Sequence, residues 1–293
     1  MTMLLVLAAV LLTDGVSAAN TVNSGVKRYL PLNLALKSVD DMYDGCKDKM
    51  DEAVKGYLQN QLGQFRSQWD WAMNQEQQEP ASSSLKKQEA ASSSSLKKEE
   101  AGSSSLKKEE AAAILVYTSS LYVDFNNAVR SQKSQYKKSF QYHTLHFYLT
   151  SAIQALRSHR LSFLRPGDDG CLSVFRRTDR DFRRDVVNKN VRFGSFASSS
   201  LDTSQVSFGD SSCFEVVTCL GADISMFSMF PQEREVLIPP YEVFKVVQIK
   251  KRSQQPDLPC EVVYTLSSTK KPVSKLNCAL FKKKKQLSSV RHG

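Results

Sequence analysis

The chain has 293 residues, of which 41% are hydrophobic and 24% charged, with 12 glycines and 9 prolines. These fractions are typical of globular proteins, and they exclude a collagen-like chain and a chain that is disordered throughout. Forty Lys and Arg residues against 30 Asp and Glu give a net charge of +10. No nucleic-acid-binding motif accompanies this excess, so we expect no specific nucleic-acid partner.

The two ends of the chain predict its location. Residues 1–18 have the features of a signal peptide, because the apolar stretch Leu4–Leu12 precedes the small residues Val16-Ser17-Ala18. No later stretch reaches the roughly 18 apolar residues that a membrane span requires. The C-terminus is a basic tail, at about residues 281–293, and differs from the hydrophobic C-terminal signal that a GPI anchor replaces. We therefore predict a secreted, extracellular protein with no membrane span and a single domain over residues 19–293.

Helical periodicity dominates the first half of this domain. Asp40–Trp71 has an amphipathic pattern, with apolar residues three or four positions apart. These residues are Met50, Val54, Tyr57, Leu58, Leu62, Phe65 and Trp69. Two more helices are predicted over Ala111–Arg130 and Ser139–Ser158. His146 lies on the apolar stripe of the last one, where a hydrogen-bonded histidine at the edge of the core is the expected role.

A threefold repeat rich in Ser, Lys and Glu interrupts the helical region at about residues 80–112. Each repeat contains one leucine, at Leu85, Leu96 and Leu106. One apolar side chain per repeat is too little to offset the entropy lost on ordering the segment. We therefore predict a disordered or marginally helical insertion.

The second half of the chain has the pattern of short strands. β-branched and aromatic runs alternate there with Gly, Pro, Ser and Asp. The predicted strands are Cys171–Phe175, Val191–Phe196, Phe214–Thr218, Glu235–Ile238, Tyr241–Ile249 and Glu261–Leu266. Helices followed by many strands predict an α+β fold.

Six cysteines remain after the leader, and an even number in an exported chain indicates disulfides. They are Cys46, Cys171, Cys213, Cys219, Cys260 and Cys278. Fifteen pairings are open if all are used. None of them forms a metal-binding spacing with the four histidines, so we expect no metal site.

Three segments of the strand region contain candidate functional residues. They are Val174–Thr178 (VFRRT), Phe193–Leu201 (FGSFASSSL) and Phe230–Pro240 (FPQEREVLIPP). Each has an ordinary structural explanation when taken singly: a solvated arginine at a strand end, a serine-rich loop and an exposed strand edge.

In this order, the three segments resemble those of the vertebrate ecto-ADP-ribosyltransferases, the arginine-specific mono-ADP-ribosyltransferase family. That family has an Arg at a strand end, an F-x-S-x-S segment and E-x-E followed by V-L-I-P-P. Further likeness lies in Asp41–Cys46, Leu121–Arg130 and Thr218–Asp223, and the resemblance covers about Val39–Cys278 without the insertion. It implies a helical N-terminal part packed on a two-sheet β core, with NAD in the cleft.

The resemblance assigns a task to each site residue. Arg176 would anchor the pyrophosphate of NAD, since a guanidinium binds phosphate oxygens in a bidentate way. Cleavage of the nicotinamide–ribose bond builds an oxocarbenium-like positive charge, which Glu235 would stabilise. Ser198 would hold Glu235 and the ribose by hydrogen bonds. Tyr117 and Ser195 match positions near the cofactor.

The second carboxylate of the E-x-E segment, Glu233, receives a separate task. Residues i and i+2 of a strand point to one face, so the sequence predicts Glu233 and Glu235 in one cleft and Arg234 facing away. Glu233 would orient the acceptor arginine and take its proton. By family analogy, a glutamate at this position goes with arginine as the acceptor.

The resemblance also implies disulfides and shows two departures. Cys46–Cys278 and Cys171–Cys219 match bridges of the family, and Cys213 and Cys260 are left as a candidate third pair. Arg177 stands where the family usually has Gly, and Ser195 where many members have Gln. Gly permits close approach of a phosphate to the backbone, so Arg177 would either crowd the site or add a phosphate contact.

The predicted function is transfer of ADP-ribose from NAD to arginine side chains of proteins, with release of nicotinamide and with NADP as a second candidate donor. Two alternatives remain open at this point. One is an NAD glycohydrolase that uses water as the acceptor, and the other is a non-catalytic, basic, secreted protein that binds polyanions or a receptor.

Overall fold

A computed structural model describes residues 29–63, 65–75 and 106–282. The predicted signal peptide, the basic tail from residue 283 onward and the first two repeats of the insertion lie outside these ranges. Within them the chain forms a helical layer followed by a sheet. The helices are α1 (Lys47–Lys55), α2 (Arg66–Gln75), α3 (Lys108–Val116), α4 (Tyr122–Ser131) and α5 (His143–Ser162).

The helical stretch predicted over Asp40–Trp71 begins at Lys47 and is divided into α1, a 3₁₀ turn and the start of α2. Helix α1 ends at Gly56, and Gln59–Leu62 forms the 3₁₀ turn. The break turns Tyr57 outward, so that this residue of the predicted apolar stripe is 68% exposed.

The residues before α1 are ordered by side-chain hydrogen bonds rather than by a helix. Asp41 accepts from the backbone N–H of Tyr43 and of Cys278 and from the hydroxyl of Tyr136. These bonds connect the start of the domain to its last residues.

Helix α3 begins at Lys108, inside the stretch that we expected to be an insertion. Leu106 of the third repeat packs against the helical core, and Ala111, Ala112 and Ala113 are buried. The insertion therefore ends earlier than residue 112, because the alanine run after the last repeat has a core to pack on.

The helix predicted over Ala111–Arg130 is interrupted between α3 and α4 by a wide π-type turn, Tyr117–Leu121. Ser119 leaves the helical conformation there, with ψ −165°. Its hydroxyl donates to the Val116 carbonyl at 2.6 Å, which compensates in part for the interrupted helical bonding. Turns of this kind are frequent at functional sites.

Eight strands follow in the described part of the chain. They are β1 (Leu172–Thr178), β2 (Asn190–Val191), β3 (Ala197–Ser200), β4 (Ser212–Thr218), β5 (Ala222–Asp223), β6 (Glu235–Ile238), β7 (Phe244–Lys251) and β8 (Val262–Ser268). Their order across the sheet is β2-β7-β8-β4-β1-β3-β6-β5. All neighbours are antiparallel except β4 and β8. Helices first and strands after them confirm the α+β class.

The expected two-sheet core is wrong in one respect, since the strands form one sheet. Its two parts are joined through β1 and β3 at a single register position, Phe175 opposite Ser200. The pairing between β1 and β3 is therefore short, and Arg176, Ser198 and Glu235 lie on strands β1, β3 and β6 next to it.

The serine-rich segment is strand β3 rather than a loop. It pairs with β6, with Ser198 opposite Leu237. Leu237 packs in the helical core, whereas Val236 and Ile238 pack in the core on the other face of the sheet. Ser198 therefore points toward the helices, because directly paired residues share one face of a sheet.

Three disulfides are present: Cys46–Cys278, Cys171–Cys219 and Cys213–Cys260. The first joins the start of α1 to the end of the domain, across 232 residues of sequence. Among the helices of the described ranges, none has both the length and the apolar character needed to cross a membrane.

Candidate active site

A cleft beside the junction of β1 and β3 collects four of the candidate residues. Arg176 comes from β1, Ser198 from β3, Glu235 from the first position of β6 and Glu233 from the turn before it. The side chain of Arg177 and the loop from Asp202 to Phe208 complete the walls.

Glu235 is the buried carboxyl of this cleft, with 5% of the residue exposed. Burial raises its pKa to about 7, and the neighbouring Glu233 contributes to the rise. A hydrogen bond from Ser198 and the positive charge of Arg176 act in the opposite direction. Glu235 is thus a carboxyl in a poorly solvated site that already has a cation and a hydrogen-bond donor beside it.

Glu233 reaches the cleft by a different route from the one predicted. It ends a 3₁₀ turn, Pro231–Glu233, and Arg234 follows in the left-handed conformation with φ +48°. The two glutamates are therefore not alternate residues of one strand, and the argument from strand pleating is wrong. Both still line the cleft and Arg234 is exposed, because the left-handed residue reverses the chain between them.

The Glu233 carboxyl is half-buried and has an unused acceptor. Its Oε1 atom has no hydrogen-bond partner among the described residues, and burial raises its pKa to about 7. The Ser200 hydroxyl donates to the Glu233 carbonyl at 2.7 Å, so the backbone is fixed while the carboxyl oxygen stays available.

The two arginines of β1 extend in opposite directions. Arg176 donates from Nη1 to the Ser198 carbonyl at 2.7 Å, which fixes its guanidinium against β3. Arg177 donates from Nη1 to the Pro259 carbonyl at 3.4 Å. Both arginines line the cleft, and their guanidinium groups are bonded to different neighbours.

Tyr117 lies behind the cleft rather than in its wall. Its hydroxyl lies 3.1 Å from the hydroxyl of Ser198 and accepts from Asn126 Nδ2 at 3.2 Å. Burial raises the pKa of Tyr117 to about 12, so the phenol is neutral. The sequence analysis did not single out Asn126, although it belongs to the stretch Leu121–Arg130 that carries the family likeness.

Ser195 lines a second cavity beside Arg176 rather than the cleft of Glu235. It is buried, and its hydroxyl accepts from Arg130 Nη2 at 2.9 Å. Both residues line a second cavity of about 960 Å³, which also includes Arg176. Ser195 thus shares this cavity with Arg176 and Arg130, and Arg130 was not among the site residues predicted from the sequence.

The other residues considered at the sequence level have structural roles. His146 is fully buried between the hydroxyl of Tyr43 and the carbonyl of Val39, and burial lowers its pKa to about 3. In the described ranges, one group of potential metal ligands comes together, consisting of Asp169, Cys171 and Cys219. Its two cysteines are bonded to each other, so neither offers a thiolate.

Comparison with known proteins identifies the family. The sequence profile of the family described as NAD:arginine ADP-ribosyltransferase matches residues 32–274. The chain belongs to this family. The transferase accordingly uses NAD as its substrate and arginine side chains as acceptors.

Individual relatives agree with this assignment. Ecto-ADP-ribosyltransferase 5 from Bos taurus is 35% identical, over 92% of this chain and 82% of the relative. The GPI-linked NAD(P)(+)--arginine ADP-ribosyltransferase 1 from Mus musculus is also 35% identical, over 97% of this chain and 84% of its own length. The transferase thus resembles ecto-enzymes over most of its length.

Solved structures give the same result. The eukaryotic mono-ADP-ribosyltransferase ART2.2 is 32% identical, with a TM-score of 0.62 over 86% of this chain and 100% of that one. A variant of ART2.2 in complex with NAD has a TM-score of 0.60 at 31% identity, over the same shares of both chains.

The two glutamates predict how the stability of the transferase depends on pH. Their pKa values of about 7, against an ordinary 4.5, mean that the folded protein holds these protons more tightly than the unfolded chain does. Their contribution to stability is complete below about pH 4.5 and is lost as the pH rises through 7.

We therefore expect Glu235→Gln to be more stable than the wild type at pH 8, by roughly 2 to 3 kcal/mol, and to differ little from it at pH 5. Urea unfolding at the two pH values measures the difference. An equal difference in stability between the variant and the wild type at pH 5 and pH 8 would contradict a raised pKa for Glu235.

Proposed function

We propose that the cleft of Arg176, Ser198, Glu233 and Glu235 is where the transferase moves ADP-ribose from NAD to an arginine side chain of a protein. The observation that carries this proposal is the buried Glu235 carboxyl, which has Arg176 and Ser198 beside it in one cleft. A carboxyl is costly to bury unless its charge is used or neutralised. A cationic transition state supplies such a use.

In the first part of the reaction, the bond between C1 of the ribose and the nicotinamide nitrogen breaks, and its electron pair leaves with nicotinamide. Positive charge develops on the ribose. Arg176 binds the pyrophosphate and so fixes the ribose over the cleft. Glu235 stabilises the developing charge and accepts a hydrogen bond from a ribose hydroxyl. Ser198 keeps the Glu235 carboxylate in position.

In the second part, an arginine nitrogen attacks C1 and loses a proton. A guanidinium in water stays protonated, with a pKa above about 12, and is therefore a poor nucleophile. Glu233 has a free oxygen and a pKa of about 7, which suits a group that binds a guanidinium and takes its proton. The cationic acceptor also favours the ionised form of Glu233 as it arrives.

Water is the competing acceptor, since the same transition state leads to free ADP-ribose. Incubation with NAD labelled in its adenosine part, together with an arginine-rich polypeptide, tests the proposal. Label on the polypeptide supports the transferase. Label only in free ADP-ribose would favour the NAD glycohydrolase, and no turnover would favour a non-catalytic binding protein.

The working location proposed for the enzyme is the extracellular space, with secretion rather than tethering. The leader-like residues 1–18 and the ecto-enzyme relative from Bos taurus support the extracellular location, whereas the relative from Mus musculus is GPI-linked. Detection of the protein in the medium of expressing cells tests secretion. Release from the cell surface only after phosphatidylinositol-specific phospholipase treatment would instead indicate a GPI anchor.

Arg177 gives a prediction about the affinity for the dinucleotide. Arg177 lines the cleft, and its guanidinium makes one long hydrogen bond, to the Pro259 carbonyl, so we expect its charge to attract the pyrophosphate. Arg177→Gly should raise the KM for NAD about fivefold, as expected for loss of about 1 kcal/mol of charge attraction, and leave kcat nearly unchanged.

Steady-state kinetics at two salt concentrations measure this effect, with Arg177→Lys as the variant that keeps the charge. The same assay with NADP tests the second candidate donor, which the NAD(P)(+)-dependent relative from Mus musculus supports. A lower KM in Arg177→Gly would show that Arg177 crowds the cleft instead.

A further inference from the structure

We propose that Asn126 is a positioning residue for the reaction, which fixes the direction of the hydrogen-bond chain Asn126–Tyr117–Ser198–Glu235. This inference rests on the proposed function, since it assumes that Glu235 acts as a carboxylate. Asn126 touches neither the cleft nor Glu235, so that its effect passes through two hydroxyl groups.

The chain can be followed from one hydrogen-bonding atom to the next. Asn126 Nδ2 lies 3.2 Å from the Tyr117 hydroxyl oxygen, and that oxygen lies 3.1 Å from the Ser198 hydroxyl. Ser198 and Glu235 line the same cleft from the paired strands β3 and β6, and hydrogen bonding from Ser198 acts to lower the pKa of Glu235. The Phe196 carbonyl is the other acceptor near the Tyr117 hydroxyl, and it is farther away, at 3.4 Å.

The side-chain amide sets the direction of this chain. An amide nitrogen can only donate, so the Tyr117 oxygen accepts from Asn126 and keeps its own proton for the nearer acceptor, Ser198. Ser198 has one hydroxyl proton. Once its oxygen accepts from Tyr117, that proton is directed to Glu235. An acceptor that receives such a bond is favoured as the ionised carboxylate.

Packing holds Tyr117, the middle residue of the hydrogen-bond chain, in place. Tyr117 is 3% exposed, and its ring packs against Phe125 and Phe196, with ring centroids 6.2 and 6.1 Å away. Phe125 immediately precedes Asn126. The phenol therefore has little freedom to turn to another partner.

The functional consequence concerns the charge of Glu235. Burial disfavours its carboxylate, whereas the chain delivers a donor to it. If the hydrogen bonds ran in the opposite direction, Ser198 would donate to Tyr117, and Glu235 would lose this donor.

Four variants test the direction of the chain. Asn126→Asp replaces the donor by an acceptor, so that Tyr117 donates to residue 126 and the chain reverses. Asn126→Leu removes the donor without adding a charge, and Tyr117→Phe removes the middle link. The fourth variant combines Asn126→Leu with Tyr117→Phe.

The measurement is the pH dependence of kcat and KM for NAD cleavage. We expect kcat at pH 7 to fall about tenfold in each single variant, with the KM for NAD nearly unchanged. The inflection of the kcat profile should move up by about one pH unit, and most in Asn126→Asp. The double variant should match Tyr117→Phe, because Asn126 acts only through Tyr117.

The outcomes separate this proposal from the proposed function. If the wild type fails to turn over NAD, the proposed function is wrong. If the wild type is active but Asn126→Asp has the same pH profile of kcat as the wild type, Asn126 acts as an acceptor. The proposed direction of the hydrogen bonds is then wrong. Additive effects in the double variant would also overturn it. Should Asn126→Leu fail to fold, Tyr117→Phe must still show the shifted inflection.

Discussion

Glu235→Gln is expected to abolish both transfer to arginine and hydrolysis of NAD. The two reactions share the step in which nicotinamide leaves, and Glu235 is the buried carboxyl at the point where positive charge develops in the proposed mechanism. Glutamine keeps the shape and an acceptor oxygen but lacks the charge. Loss of fixed electrostatic stabilisation of this kind typically lowers kcat by about a thousandfold.

The measurement is release of nicotinamide and of labelled ADP-ribose, with and without an arginine-rich acceptor. Glu261→Gln is the matched control, because Glu261 is exposed and pairs with Arg252 at 2.7 Å outside the cleft. Exposed ion pairs contribute little, so this variant should retain full activity. Equal turnover of NAD by Glu235→Gln and the wild type would remove Glu235 from the mechanism.

The family resemblance predicted which residues meet in the cleft better than the sequence pattern predicted how they get there. Arg176, Ser198, Glu233 and Glu235 come together although the strand geometry predicted for Glu233 was wrong. The serine-rich segment is a strand, because its backbone pairs with β6 and Ser199 and Ser200 are buried. Serine runs are usually loops, and only the pairing partner makes this one a strand.

Glu233 shows why the local geometry could not be read from spacing alone. The alternation rule holds inside a strand, and the strand begins at Glu235. Pro231 favours the preceding turn because its ring fixes φ near the helical value. A left-handed arginine is uncommon, and nothing in the sequence indicates it at Arg234.

Asn126 could not be assigned from the sequence for a related reason. It lies nine residues after Tyr117, and in an unbroken helix such residues lie on opposite sides, since each residue turns the helix by about 100°. The wide turn at Ser119 changes this phase and brings both side chains to one hydrogen bond. The position of such a turn depends on the packing of α3 and α4, which a hydrophobic pattern does not specify.

The hydrogen-bond partner of Ser195 could not be predicted from the sequence. The family likeness predicts Ser195 near the cofactor, and in the structure its hydroxyl accepts from Arg130 while the residue lines a cavity that Arg176 also lines. The hydrogen-bond partner of a short polar side chain is set by the tertiary fold. Arg130 lies 65 residues away in sequence, beyond any local signal.

Glu233→Gln is expected to separate the two reactions that Glu235→Gln removes together. Transfer to arginine should fall by a factor of about a hundred to a thousand, because the variant lacks the group that takes the acceptor proton. Hydrolysis of NAD should fall less than about tenfold, since water needs no guanidinium partner. The ratio of labelled polypeptide to free ADP-ribose measures the separation directly.

The pH dependence provides an independent check on Glu233→Gln. The negative charge of Glu233 helps to raise the pKa of Glu235, so removing it should lower that pKa. The rise of NAD hydrolysis with pH should then begin at a lower pH in the variant than in the wild type. A variant that loses both reactions equally, with an unchanged profile, would show that Glu233 serves the cleavage step and not the acceptor. If the variant retains hydrolysis and the inflection of its pH profile is lowered, the two carboxyls of the cleft act in two successive events. Glu235 then serves the departure of nicotinamide, and Glu233 serves the entry of the acceptor arginine.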